Sequence, residues 1–256
     1  MPTLHDDLGT PIELPARPAR IVSLVPSLTE AIADVAPDAL VGVTDWCTHP
    51  AGLRATRVRG TKNPDRQAIL RLQPDLVVAN REENRELDVR RLREAGLAVW
   101  VTDIESVAQA LDSLYRLLSA VAGVVPTWLE EADRLWSGPP TAPAAKVVVP
   151  IWRDPWMVVG EPTFTSDLLR QAGLVNVVGA DAGRYPHLEL AAIDGAGADL
   201  VLLPDEPYAF GPDDGPEAFA CTPTRLVDGR LLTWYGPSLV AAHAMLAELT
   251  GSLARA

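Results

Sequence analysis

The sequence predicts an α/β protein of two lobes with parallel sheets, joined by a long backbone helix. Three observations carry this. One pattern occurs twice: Ala68-Ile69-Leu70-Arg71-Leu72-Gln73-Pro74-Asp75-Leu76-Val77-Val78-Ala79 and Ala192-Ile193-Asp194-Gly195-Ala196-Gly197-Ala198-Asp199-Leu200-Val201-Leu202-Leu203 both read as a helix end, a break, an aspartate and an apolar strand. Short apolar runs alternate with helical stretches in both halves, as in parallel sheets covered by helices on both faces. Residues 105–136 interrupt that rhythm, with Val107, Leu111, Leu114, Leu118 and Val121 at helical spacing. The expected division is therefore an N-terminal lobe over residues 1–103, a connecting helical region over 104–137, and a C-terminal lobe over 138–256.

The elements follow in order. Residues 1–19 lack periodicity and read as an extended arm. Ile21 to Val25 is a buried strand stopped by Pro26, and Ser27-Leu28-Thr29-Glu30 fits a capping box opening a helix. Leu40 to Val43 is a strand, followed by the loop Asp45 to Pro50. A helix runs from near Pro64 to Pro74, then the strand Leu76 to Ala79 and the loop Asn80 to Asn84. A charged helix ends at Gly96, a glycine of the type that terminates helices, and Ala98 to Val101 completes the lobe. Within 105–136, Pro126 opens a second helical segment bearing Trp128, Leu129, Leu135 and Trp136. Gly138 to Pro143 is a stiff loop. The second lobe starts with the strand Lys146 to Ile151 and the loop Trp152 to Trp156. Thr165-Ser166-Asp167 then caps a helix from Leu168 to Ala172, ended by Gly173. The strand Asp199 to Leu203, the loop Pro204 to Phe210, a short strand Leu231 to Thr233 and a final helix from Ser238 to Leu249 complete the chain.

Bulk properties remove several functions. A net charge of -12 and a pI near 4.7 argue against nucleic acid or an anionic membrane as partner. Two cysteines, Cys47 and Cys221, make no disulfide scaffold. No apolar run approaches the roughly 20 residues of a membrane span. No signal peptide is visible after Met1, so a cytoplasmic location is expected, or a periplasmic or cell-surface one for a trimmed N-terminus.

Parallel α/β lobes collect ligands beyond the carboxyl ends of their strands. Five of the seven tryptophans are Trp46, Trp100, Trp152, Trp156 and Trp234, and four of these fall in strand-end loops. That distribution predicts an aromatic-lined cleft between the lobes. Lys62, Arg81 and Arg153 are expected to pair with ligand carboxylates. Catalysis has less support: Ser27, His49 and Asp103 are not made a triad by spacing, and no Gly-x-Ser-x-Gly elbow is present. Glu82 and Glu83 are an acid–base pair or a solvated structural pair. His49 and His187, with Cys47 or Glu189, would form a metal site if they faced each other. Gly195-Ala196-Gly197 precedes a strand, so a dinucleotide fingerprint is excluded.

Several segments resemble a known family. Arg20-Ile21-Val22-Ser23-Leu24-Val25-Pro26-Ser27-Leu28-Thr29-Glu30 is similar to the opening of the cobalamin-, siderophore- and haem-binding proteins of ABC importers. Val41 to Pro50, Asn63-Pro64 with Ile69, and Leu72 to Val77 continue the likeness in order. The nearest subgroup is the cobalamin-binding-like one, the helical backbone metal receptors. The resemblance implies the fold of class III substrate-binding proteins. It implies a corrinoid, haem or metal chelate as ligand, with Trp46 and the Trp152 to Trp156 loop lining the cleft. Together with the strand-end survey, the expected ligand-binding residues are Ser27, Trp46, His49, Lys62, Arg81, Glu82, Trp152, Arg153, Trp156, Tyr185, Tyr208 and Trp234. Tyr or His ligation would fall to His49, His187, Tyr185 or Tyr208. Asp65 and Glu189 would dock on the arginines of an ABC permease. The expected function is thus a small-molecule binding protein of the importer-receptor type, with no catalytic residue. The alternatives are an intracellular enzyme or metallochaperone using His49, Glu82, Glu83 and His187, and an interaction module with a vestigial cleft.

Overall fold

The computed structural model describes residues 4–255. The chain forms two compact units. The first runs to Ile104 and takes in Gln109–Asp133 and Tyr235–Pro237; the second comprises Glu105–Ala108, Arg134–Trp234 and the chain from Ser238.

The first unit is built on a five-stranded parallel sheet in the order Thr56–Arg57, Leu40–Val43, Ile21–Ser23, Leu76–Asn80, Val99–Thr102. The strands Ile21–Ser23 and Leu76–Asn80 are buried along their whole length, so up to the polar Ser23 and Asn80 at their carboxyl ends they are continuously apolar rather than alternating. Val22, Leu24, Val77, Ala79 and Val101 pack there against Ile69, Val89 and Leu92 from flanking helices. The second unit repeats the plan in four parallel strands ordered Leu174–Asn176, Ala145–Val148, Leu200–Pro204, Thr224–Val227. Its core joins Val148, Val201 and Leu203 to Ile193, Trp156 and Phe210.

The duplicated sequence has a structural cause. The Asp75 carboxylate accepts the backbone N–H groups of Ala19 (2.8 Å) and Arg20 (2.9 Å), just before the strand Ile21–Ser23. The Asp199 carboxylate accepts Lys146 N at 2.7 Å, in the strand Ala145–Val148. Each aspartate also donates its own N–H to the carbonyl of that same partner, Arg20 or Lys146, at 2.8 Å. The repeated Asp therefore sets the register between two neighbouring central strands in each sheet.

Several elements differ from the sequence reading. The N-terminal arm contains a short antiparallel ladder pairing Leu4–His5 with Pro11–Ile12. Buried Asp6 fastens it: its carboxylate accepts Leu8 N, Thr10 N, Val101 N and Arg93 Nη2, the last at 2.7 Å. The helix Pro26–Val35 has Val25 as N-cap and Pro26 in its first turn, so Ser27 lies inside the helix and caps nothing. The region 105–136 holds two helices, Val107–Ala122 and Thr127–Trp136, broken at Gly123. Tyr115 Oη donates to Asp133 Oδ2 at 3.4 Å, which lays part of one helix beside the other. The strand expected over Lys146 to Ile151 is divided: Ala145–Val148 belongs to the sheet, and Pro150–Trp152 forms a separate antiparallel ladder with Met157–Val158. Thr163, not Thr165, caps the helix Phe164–Gln171, accepting Ser166 N at 3.2 Å. Leu231 to Thr233 is helical, within Gly229–Thr233; the Asp228 side chain caps it at Leu231 N. Gly96 does end its helix, at φ 84°.

Candidate functional site

In the first unit, the loop after Leu40–Val43 is held from beneath. The Arg57 guanidinium donates to the carbonyls of Thr44 (2.7 Å) and Cys47 (2.9 Å). Cys47 Sγ lies 3.1 Å from both Thr29 Oγ1 and Thr44 Oγ1. Burial pushes the Cys47 thiol up, against the lowering effect of those hydroxyls, so it is an inert packing thiol. Pinned on both flanks, Trp46 projects its indole to solvent at 66% exposure. His49 follows, half-buried, with Nδ1 3.0 Å from Thr48 Oγ1.

The loop after Leu76–Asn80 is shaped by two buried asparagines. Asn80 Oδ1 accepts Glu82 N (2.8 Å) and Glu83 N (3.1 Å), while Asn84 Oδ1 accepts Asn80 N at 2.8 Å. Asn84 Nδ2 reaches the Thr61 carbonyl at 2.9 Å, and Lys62 Nζ the Glu82 carbonyl at 2.5 Å. Lys62 and Glu82 are thus brought together through the Glu82 backbone. Arg81 bonds Asp103 at 2.7 Å. Ser27 is 3% exposed and its hydroxyl has no hydrogen-bond partner. A side chain added at Gly236 would meet the Ser27 carbonyl at 3.2 Å, which explains a glycine at that contact.

In the second unit, Trp152, Arg153, Trp156 and Tyr208 form one cluster. The Trp152 indole, 45% exposed, stands edge-on to Tyr208 with ring centroids 5.7 Å apart. Tyr208 Oη donates to Asp214 Oδ2 at 2.7 Å, a bond that holds the phenol above its usual pKa and the carboxyl below. Arg153 Nη1 donates to Asp214 and, at 2.5 Å, to Glu217, whose carboxyl that bond holds low. The guanidinium also lies over Trp156, 5.5 Å from the ring centroid. Trp156 itself is 8% exposed and stacks on Phe210 at 5.9 Å, so its ring is part of the core. Trp234 is equally buried and donates to the Glu206 carboxylate; burial nonetheless raises the Glu206 pKa.

Tyr185 and His187 sit on a segment that runs beside Trp156–Gly160, with Val158 N on the Pro186 carbonyl at 3.1 Å and Gly160 N on that of Arg184 at 2.8 Å. Among the described residues, no three His, Cys, Asp or Glu side chains gather as a metal site, and no helix is long and apolar enough to cross a membrane. A recess of about 200 Å³ is lined by Trp136, Gln171, His243 and Thr250, away from the strand-end loops. Sequence reasoning missed Arg57, Asn80, Asn84, Asp214 and Glu217. Arg57, Asp214 and Glu217 reach partners 10 to 64 positions away, and the asparagines shape their own loop through bonds that composition alone does not mark.

Asp65 caps the helix Arg66–Arg71, accepting Ala68 N at 3.0 Å, and that bond leads the effects lowering its pKa. Glu189, exposed, stands at the N-cap of Leu190–Asp194. Asp65 precedes Asp75 by the same interval as Glu189 precedes Asp199, so the two acids occupy matching places in the repeat.

The model of one protein family, described as periplasmic binding protein, matches residues 21–223. The vitamin B12-binding protein of Salmonella paratyphi A is 34% identical over 43% of this chain and 41% of its own length. The chain spans only about two fifths of the curated relatives it matches. Among solved structures, the periplasmic vitamin B12 binding protein BtuF of Vibrio cholerae superposes with a TM-score of 0.78 at 18% identity, covering 94% of this chain and 100% of that one. The periplasmic haem-binding protein HutB of Vibrio cholerae gives 0.73 at 20% identity, covering 90% and 98%. These likenesses establish the class III binding-protein fold. The expected cytoplasmic location finds no support, since the matched family and these solved relatives are periplasmic.

Proposed function

The chain belongs to the periplasmic binding protein family, and from that membership we propose that it is the small-molecule receptor of an ABC importer, acting outside the cytoplasm on a corrinoid, haem or related metal chelate. The observation that carries this reading is the pair of solvent-facing indoles, Trp46 and Trp152. Each lies just beyond the carboxyl end of a central region of its own parallel sheet, where ligands of open α/β sheets bind. Indole faces supply flat apolar area with few torsions to freeze. What the solved relatives bind, by their descriptions, is of this flat macrocyclic kind.

The binding set we propose includes Trp46, His49, Lys62, Arg81 and Glu82 on the first unit. On the second it includes Trp152, Arg153, Tyr185 and Tyr208, with Ser27, Trp156 and Trp234 acting from beneath. Residues 104–137 serve as the connecting segment. Asp65 and Glu189, at matching helix N-caps, are the acids that meet the permease. The test is a titration of the purified protein with cobinamide and with haemin, followed by tryptophan fluorescence. Saturable one-to-one quenching by either supports the receptor reading; no saturable binding of either ends it.

A further inference from the structure

We infer that the recess between Trp136, Gln171 and His243 on the second unit is a small-molecule site of its own, and that it takes an uncharged single-ring molecule carrying both a hydrogen-bond donor and an acceptor. This goes beyond the receptor reading and does not depend on it.

The walls of the recess are fixed. The Trp136 indole donates to the Leu239 carbonyl at 2.9 Å and stands edge-on to His243, with ring centroids 5.1 Å apart and planes at 84°. Thr250 Oγ1 donates to the Ala172 carbonyl at 2.9 Å. The strap from Gly138 to Ala144 carries Pro139, Pro140 and Pro143. It is tied down where Thr141 N donates to the Gln171 carbonyl at 3.0 Å and Ala144 N to that of Gly173 at 2.9 Å. Gly173, at φ 83°, lets the strap come close, since a Cβ there would meet the Ala142 carbonyl oxygen at 2.7 Å. The carboxyl ends of the helices Thr127–Trp136 and Phe164–Gln171 are thereby held against the helix Ser238–Leu253. The strap runs into the strand Ala145–Val148 and Gly173 into Leu174–Asn176, so the recess lies beside the amino ends of both. Trp152 and Tyr208 come after the carboxyl ends of Ala145–Val148 and Leu200–Pro204, at the other pole of the same sheet.

Size, shape and chemistry define the guest. The recess measures about 200 Å³. A cavity of about 150 Å³ accepts benzene, and drug-sized ligands need about 300 Å³ or more, so one ring with one substituent fits. Because Trp136 and His243 meet at nearly a right angle, a ring laid on one meets the other edge-on, a favoured aromatic pairing. Thr141, Gln171 and His243 all line the recess, and among the described residues their side chains have no hydrogen-bond partner in the protein. Each can both donate and accept. No lining residue is Asp, Glu, Lys or Arg, so a charged guest would shed water without gaining a counter-ion. The charged residues adjoining the lining ones in sequence, Arg134, Arg170 and Glu248, are exposed, and Arg170 is paired with Asp167.

The experiment titrates benzamide, benzoate and benzylamine into the full chain and follows backbone amide shifts by NMR. The expected result is saturable one-to-one binding of benzamide, with a Kd of about a millimolar or tighter and shifts centred on Thr141, Gln171 and His243. Benzoate and benzylamine bind at least about fivefold more weakly. Ala247→Phe, at an exposed lining position of the last helix, fills the recess and abolishes binding at unchanged Tm. Gln171→Met keeps the side chain's length without its amide and weakens benzamide by about fivefold; it serves if Ala247→Phe unfolds. No saturable shift, or a benzamide affinity unaltered in both variants, overturns the site. Benzoate or benzylamine binding as tightly as benzamide overturns the ligand class.

Discussion

Replacing Trp46 with Ala separates a ligand-binding role from a structural one. The indole is 66% exposed. Taking about 240 Å² for a whole indole side chain, roughly 160 Å² is open to a ligand. At about 25 cal/mol per Å², covering all of it would contribute about 4 kcal/mol. A flat ligand covers one face, so about 2 kcal/mol is realised, which corresponds to a roughly 30-fold weaker Kd in Trp46→Ala. The free protein loses almost nothing, because an exposed substitution alters stability by about 0.5 kcal/mol or less. Trp152, at 45% exposure, gives by the same reasoning about 1.4 kcal/mol, or about tenfold. The assay is isothermal titration with cobinamide, paired with thermal unfolding of each variant. The expected signature is weakened binding at unchanged Tm. A Trp46→Ala protein that keeps its Tm and binds cobinamide within about threefold of the parent would refute the reasoning.

Three further outcomes follow from the same structure. Trp156→Ala should behave oppositely to Trp46→Ala: its ring is buried against Phe210 and Phe219, so unfolding stability should drop by about 3–5 kcal/mol, measured by denaturant titration. Asp6→Ala removes the acceptor of three backbone N–H groups and of Arg93. It should cost about 3 kcal/mol, read in the same titration. Glu206 has its pKa raised by burial, so the folded state holds that proton more tightly than the unfolded chain. Its contribution to stability is full below the ordinary glutamate range and is lost as pH rises through the raised value. Glu206→Gln should therefore flatten the decline in Tm between mildly acidic and neutral pH; an unchanged pH profile would remove Glu206 as the cause.

The sheet centres were legible in the sequence because they are simple. Leu40–Val43 and Leu76–Asn80 are short, apolar and bounded by turn residues, and burial on both faces demands that composition. The strand Thr224–Val227 escaped for the converse reason. It lies at a sheet edge with Arg225 and Leu226 exposed, so no core pressure makes its sequence apolar. Leu231-Leu232-Thr233 looked like the strand instead, but Asp228 and a single buried Leu232 make a helical turn. Ser27 was misplaced because Pro26, with its fixed φ, starts the helix two positions earlier, with Val25 as the cap. In the candidate site, tryptophans on loops could be found by eye, but their exposure could not. Trp46 and Trp156 read alike as sequence, and Phe210 and Phe219, 54 and 63 positions further on, make one ring core. The pairing of Arg153 with Asp214 and Glu217 spans 61 and 64 positions, beyond the range of any periodicity.

The carboxylates of Asp75 and Asp199 act near the amino ends of the strands they fasten, while the indoles and acids of the candidate site lie at the opposite ends. Alignment of each sheet is thereby fixed at a pole remote from the candidate site. Loops at the opposite pole are free of that duty, so a change in their length or sequence leaves these two anchors, and the strand alignment they set, in place.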